Sequence, residues 1–163
     1  MTPLQEKLLP ILEEDCRTPL DVLAVMVGDT PERVKEAIEQ LEKDQVILRY
    51  RPLVNWDKTG RTFVEAMIDV KVTPQRDKGF DAIAKRIVCY PEVKNVYLMS
   101  GAYDLIVLVE APTLKELALF VSEKLSVLDS VTATSTSFVL KRYKQEGVIF
   151  DELKEDRRLL VTP

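Results

Sequence analysis

Few side chains in this sequence are of types that do covalent chemistry. Histidine is absent, and the two cysteines, Cys16 and Cys89, stand far apart with no partner at metal-ligand spacing. That removes imidazole base catalysis, His-ligated zinc and any His-assisted nucleophile. Both thiols read as isolated and reduced. Glu65, Asp69 and Glu110 fall on strand-like segments, where acids are usually solvated rather than paired as acid and base. With no phosphate-cradling glycine loop and no metal cluster, no catalytic residue, cofactor or metal is expected.

Two sets of residues remain, and their chemistry is binding. Thr30, Arg33 and Lys35, followed by Arg49 and Arg51, offer a helix start and cationic donors of the kind that contact phosphate. The turn Ser100-Gly101-Ala102-Tyr103-Asp104 and the hydroxyl row Thr132, Thr134 and Thr136 form the second set. Gly101 permits close backbone approach, so that amide N–H groups can meet an anion, and Asp104 can accept from a cation. Tyr103 can wall such a site while the threonine hydroxyls donate or accept. The same residues also make a plain hairpin turn, with Gly101 supplying a positive φ and Asp104 satisfying turn amides. From spacing, both readings stand.

These groups need elements to hold them. The first fifty residues follow a helical rhythm. Leu4, Leu8, Ile11 and Leu12 share one face behind Thr2-Pro3-Leu4-Gln5, where Thr caps, Pro takes the first turn and Gln reaches back. Pro10 inside that stretch would cost a backbone hydrogen bond, which moves the expected start toward Gln5 to Lys7. Thr18-Pro19-Leu20-Asp21 opens a second helix with Leu20, Leu23, Ala24 and Val27 inward and Gly28 as its stop. Thr30-Pro31 opens a third along Val34, Ala37, Ile38 and Leu41. The short Gly28-Asp29 connection is the spacing of a helix-turn-helix, with the third helix in the recognition position. Val46 to Arg51 reads as a strand or wing. A three-helix bundle that touches no nucleic acid fits the same pattern.

From Thr62 onward one order of elements occurs twice. Strand Thr62 to Val70 is ended by Pro74. Phe80, Ile83, Ala84 and Ile87 line a helix that leads to strand Val96-Tyr97-Leu98. Strand Leu105 to Val109 is then followed by a helix with a capping box at Thr113-Leu114-Lys115-Glu116 and by strand Val131 to Leu140. Two tandem β-α-β units predict an α+β, ferredoxin-like βαββαβ sandwich behind a winged helix-turn-helix. The expected organisation is 1–54 helix-turn-helix, 55–61 linker, 62–145 sandwich and 146–163 charged tail. No apolar run reaches the ~20 residues of a membrane span and no signal-peptide layout opens the chain, so a cytoplasmic protein is expected. Val107-Leu108-Val109 is rich for a strand with one wet face, which predicts a homo-oligomer whose partner sheet covers it.

Over roughly Leu4 to Gln145 the sequence resembles the Lrp/AsnC family of feast/famine regulators. The residues that carry the resemblance are Ile11-Leu12-Glu13-Glu14-Asp15, Val27-Gly28 with Thr30-Pro31, Leu41-Glu42, and Val46-Ile47-Leu48-Arg49-Tyr50. In the second half they are Val93-Lys94-Asn95-Val96, Gly101-Ala102-Tyr103-Asp104-Leu105 and Val131-Thr132-Ala133-Thr134-Ser135-Thr136. The resemblance implies a winged helix that binds double-stranded DNA and a ligand-sensing domain that forms dimers, often octamers, with amino acids as typical effectors. The turn Ser100 to Asp104 then becomes the expected effector site, with Thr132, Thr134 and Thr136 opposite it. The sequence departs from the family where recognition helices usually carry arginines, since Glu36, Ala37, Glu39 and Gln40 stand there. Up to Asn55 there are seven basic residues against eleven acidic ones, a net of −4. Such a domain is repelled by phosphate and would bind DNA weakly at any single site. An alternative therefore stays open, in which a sensor or interaction protein of this architecture has lost DNA binding and acts through other regulators.

Overall fold

A computed structural model describes residues 1–73 and 79–150, which divide into a unit up to Val54 and a unit from Asn55 onward. In the first unit, α1 spans Pro3–Glu14 behind a complete capping box: the Gln5 N–H donates to Thr2 Oγ1 at 3.3 Å and the Thr2 N–H to Gln5 Oε1 at 2.8 Å. That reciprocal pair fixes the start at Pro3, not at Gln5 to Lys7, and Pro10 lies inside the helix at the cost of one hydrogen bond to Glu6.

α2 is Leu20–Val27, and the expected threonine cap is not made there. Pro19 occupies the cap position and the Thr18 hydroxyl instead donates to the Asp15 carbonyl at 2.9 Å. The stop is as expected. Gly28 takes a left-handed φ of 75°, and its N–H and that of Asp29 both reach the Ala24 carbonyl, at 2.9 and 3.0 Å. α3 follows over Pro31–Lys43, with Thr30 Oγ1 accepting from the Arg33 N–H. Leu8, Leu12, Leu23, Ala24, Val27 and Val34 bury the shared face, and Ile47 closes over them.

Residues 46–51 form no strand. The Val46 and Ile47 N–H groups both turn back to the Leu41 carbonyl, at 2.9 and 3.1 Å, and the unit has no second strand to complete a ladder. The segment continues from α3 as an irregular arm.

The second unit holds β1 (Val64–Val72), α4 (Asp81–Ile87), β2 (Val93–Leu98), β3 (Leu105–Ala111), α5 (Leu114–Leu119), a widened helical turn over Phe120–Leu125, and β4 (Val131–Phe138). The four strands pair antiparallel in the order β2-β3-β1-β4, the ferredoxin-like arrangement expected of two β-α-β units. The capping contact of α5 has Thr113 Oγ1 accepting from the Glu116 N–H at 3.1 Å while its hydroxyl donates to the Glu116 carboxylate. Pro74, expected to end the first strand, lies outside the described residues, and the strand already ends at Val72.

Period-two patterning divides the sheet into a covered and an open face. Ala66, Ile68, Val70 and Val72 of β1 and Leu105, Val107 and Val109 of β3 are buried with Ile83, Ile87, Leu117, Phe120 and Leu125 from the helical side. Val107 and Val109 thus owe their apolar character to this core, and of that run Leu108 alone lies on the open face. Beyond β4, β5 (Lys144–Gln145) and β6 (Val148–Ile149) pair as a hairpin, which takes in residues expected as the start of a charged tail. Glu146 and Gly147, at φ 47° and 82°, supply the two left-handed residues of a tight hairpin turn, and Phe150 is buried after it. Among the described residues no helix is long and apolar enough to cross a membrane.

Two glycines make opposite predictions. Alanine at Gly28 would sit in open space but at a left-handed φ, so Gly28→Ala is expected to cost about 1 kcal/mol in urea denaturation of the first unit. Gly101 has neither a left-handed φ nor a neighbour within 4 Å of an added Cβ, so Gly101→Ala is expected to leave stability within about 0.5 kcal/mol of the parent.

Candidate functional site

In the first unit the candidate contacts gather at one end of α3 and on the arm. Thr30 is spent on capping, which places the positive end of α3 beside Arg33 and Lys35. Arg33, itself exposed, pairs with the mostly covered Asp29 at 3.1 Å, and Lys35 pairs with Glu39 at 3.7 Å with both side chains in solvent. Such pairs are worth under about 1 kcal/mol each, so either cation can be recruited by a phosphate without a large loss. Glu32, Glu36, Glu39 and Glu42 remain on the same exposed helix, so its field stays mixed.

Arg49 and Arg51 line a cavity of about 480 Å³ with Leu9, Leu12, Cys16 and Tyr50. Tyr50 anchors the arm. Burial, and then its hydrogen bond to Glu42 and the charge of that carboxylate, push the phenol up to about 12. The arm is therefore tied to the last turn of α3, a contact that no periodicity announces. α2 carries another feature that sequence reading passed over: its outer side leaves Val22, Val25 and Met26 in solvent.

In the second unit the turn of residues 100–104 is held against the end of β1. The Asp104 N–H donates to the Val70 carbonyl at 3.1 Å, and Asp104 Oδ2 accepts from the Val72 N–H at 2.8 Å. One carboxylate oxygen thus extends the β1–β3 ladder beyond Val70 and Leu105, on the edge of β1 opposite the bulge that β4 makes between Lys71 and Val72. The φ of Gly101 is not left-handed, so the positive φ expected of it is absent and the turn closes through Asp104 instead. Ser100 and Gly101 are exposed, and Tyr103 and Asp104 are half-buried.

The three threonines are not equivalent. Thr132 sits at the bulge and donates to the Lys71 carbonyl at 3.2 Å, while the Lys71 ammonium reaches the Ala102 carbonyl at 3.0 Å. Thr134 and Thr136 lie opposite Val70 and Ile68, on the face that the helices cover. Thr132, Lys71, Ala102 and Asp104 therefore form one polar cluster, and Thr134 and Thr136 continue away from it. No sequence pattern singles out Lys71, because only the register of β1 with β3 puts it beside the turn.

This geometry separates two roles of Asp104. Asp104→Ala removes the acceptor of the Val72 N–H and is expected to cost about 1–2 kcal/mol in urea denaturation. Asp104→Asn keeps an acceptor without the charge and should cost less than half of that. Equal losses for both would show that charge, and not the hydrogen bond, holds the turn.

Residues 65–149 match the family model of the Lrp/AsnC ligand binding domain. The HTH-type transcriptional regulator YugG of Bacillus subtilis is 46% identical over 164 residues, covering 100% of this chain and 99% of that one. The HTH-type transcriptional regulator FL11 of Pyrococcus furiosus is 28% identical over 142 residues, 87% of this chain and 91% of that one. Among solved structures, the transcriptional regulator NMB0573 of Neisseria meningitidis, crystallised as an L-Met complex, superposes with a TM-score of 0.70 at 23% identity, over 89% of this chain and 93% of that one. The helix-turn-helix spacing, the strand order β2-β3-β1-β4, the matched domain and an end-to-end relative agree, and the chain belongs to the Lrp/AsnC family.

Proposed function

We propose that the protein is an amino-acid-responsive, DNA-binding transcriptional regulator that works as a homo-oligomer. The observation that carries the reading is the joining, in one chain, of α2, the Gly28 turn and α3 to a ferredoxin-like ligand-binding domain. Relatives named as HTH-type regulators and a neighbour crystallised with L-Met support it. In this reading α3 enters the major groove, Arg33 and Lys35 contact phosphate near its start, and Arg49 and Arg51 reach the backbone from the arm. The effector lies at the turn of residues 100–104, where exposed amide groups meet its carboxylate. The remaining lone pairs of Asp104 take its ammonium.

The net charge of −4 up to Asn55 is the observation that favours a second reading, that of a sensor that no longer reads DNA. Gel shifts with genomic fragments at low and physiological salt separate the two. For the regulator, Arg33→Ala and Lys35→Ala should each weaken binding and lower the salt slope by about one unit, with thermal stability unchanged. Glu39→Gln, which frees Lys35 and removes a repelling charge, should strengthen binding severalfold. A parent that shifts no fragment at low salt establishes the sensor reading instead.

Assembly follows from the open sheet face. Met67 faces Leu108 and Tyr97 faces Ile106 across neighbouring strands, and Met67 and Tyr97 are each about half exposed. A second copy's sheet stacked on this face would bury the patch, and a two-fold pairing of recognition helices would add the affinity that one acidic domain lacks. Leu108→Glu should convert an oligomer into a monomer in light scattering and weaken DNA binding at least tenfold. A parent that is monomeric at micromolar concentration removes this arrangement.

A further inference from the structure

The second unit contains a cavity of about 380 Å³ that the functional reading does not use. It lies at the opposite end of β1 from the turn of residues 100–104. One wall is the segment of residues 57–63 that enters the unit, and the other is the chain leaving β4, residues 139–142. Its volume is in the range of small-molecule sites.

Each wall holds one guanidinium that is paired and stacked. Arg61 lies between two aromatic rings, 4.6 Å from the Trp56 centroid and 5.2 Å from that of Phe63, and pairs with Glu110. Arg142 pairs with Glu65 and stacks over Phe150 at 5.3 Å. Stacking and pairing take up the conformational freedom that long cationic side chains otherwise lose on binding. A guanidinium carries five donors, of which one carboxylate oxygen uses few, so both arginines keep donors for a second anion.

The rest of the lining complements the other parts of one kind of ligand. Asp57 is exposed and carries no ion pair among the described residues, so it offers a carboxylate to an ammonium. Leu140 lines the same cavity and is 95% exposed. An apolar group that covered Leu140 and Phe63 would remove that surface from water.

We propose that this cavity is a second effector site, which takes an α-amino acid with an apolar side chain. Its carboxylate lies on Arg61 and Arg142, its ammonium on Asp57, and its side chain on Phe63 and Leu140. The inference rests on the amino-acid response proposed above and adds a site to it. Because one wall is the segment that follows the helix-turn-helix unit in the chain, occupancy joins that segment to the end of β4.

The sole tryptophan of the chain, Trp56, stacks on Arg61 and reports on the cavity directly. The full-length protein is titrated with each of the twenty L-amino acids while Trp56 emission and heat are both recorded. At least one apolar amino acid should change the emission saturably. That change should persist in Asp104→Asn and weaken tenfold or more in Asp57→Asn and Arg61→Lys, two exposed conservative variants whose circular dichroism matches the parent. Heat of binding that disappears in Asp104→Asn, with Trp56 emission flat throughout, overturns the second site and leaves the effector reading of the turn intact. A parent that shows neither heat nor emission change with any of the twenty overturns both.

Discussion

β1 is the element on which the second unit depends. It is hydrogen-bonded on both edges, to β3 and to β4, and its alternate residues Ala66, Ile68 and Val70 are fully buried. A strand so placed cannot slip by one residue without moving that whole set to the wet face. The same fixed register delivers polar groups at both ends. At one end the Val70 carbonyl and the Val72 N–H hold Asp104, and Lys71 reaches the turn. At the other, Glu65 takes Arg142 through its side chain and the Val139 N–H through its carbonyl, at 2.9 Å. Glu65 and Val72 are seven residues apart, roughly 23 Å at strand rise, so the two candidate effector sites are separate and joined by one rigid rod.

Much of this was legible because local chemistry and global pattern agree. Thr30-Pro31 caps and opens α3, Gly28 ends α2 in a left-handed turn, and the alternation in Leu105 to Ala111 gives a strand with one covered face. The failures have a common form, in which a local signal was claimed by a non-local partner. Thr18 was read as a cap, but Asp15 captures its hydroxyl. Val46 to Arg51 has strand-like composition, yet a strand exists only with a neighbour, and this unit provides none. The positive φ expected of Gly101 is absent, and the Asp104 carboxylate, expected to satisfy amides of its own turn, takes the Val72 N–H of β1. Residues 146–150 looked like a charged tail because their hairpin is two residues long on each side, although Glu146-Gly147 between Gln145 and Val148 carries a turn signal.

The cavity near Arg61 was beyond sequence reading for a different reason. Its walls are about eighty residues apart in the chain, and neither Asp57 nor Leu140 stands in a pattern that singles it out. Only the antiparallel pairing of β1 with β4 brings the residues before β1 to those after β4. Arginine stacked on aromatic rings is likewise a tertiary event, since Trp56, Arg61 and Phe63 have no periodic relation to one another.

The acidity of the helix-turn-helix unit gives the proposed assembly its importance. Phosphate neutralisation supplies most of the sequence-independent affinity for DNA, and α3 spends its two leading cations on Asp29 and Glu39. Weak single contacts become useful when several are tethered, because each later contact forms at the high effective concentration set by the tether. A weak reader on a strong oligomer also responds steeply to whatever changes the geometry of that oligomer, since a small loss per domain is multiplied over the domains engaged. In the proposed reading, effector binding at either end of β1 then needs only a modest preference for one assembly geometry to change occupancy of DNA, a demand that a small amino acid with a few charge-assisted hydrogen bonds can meet.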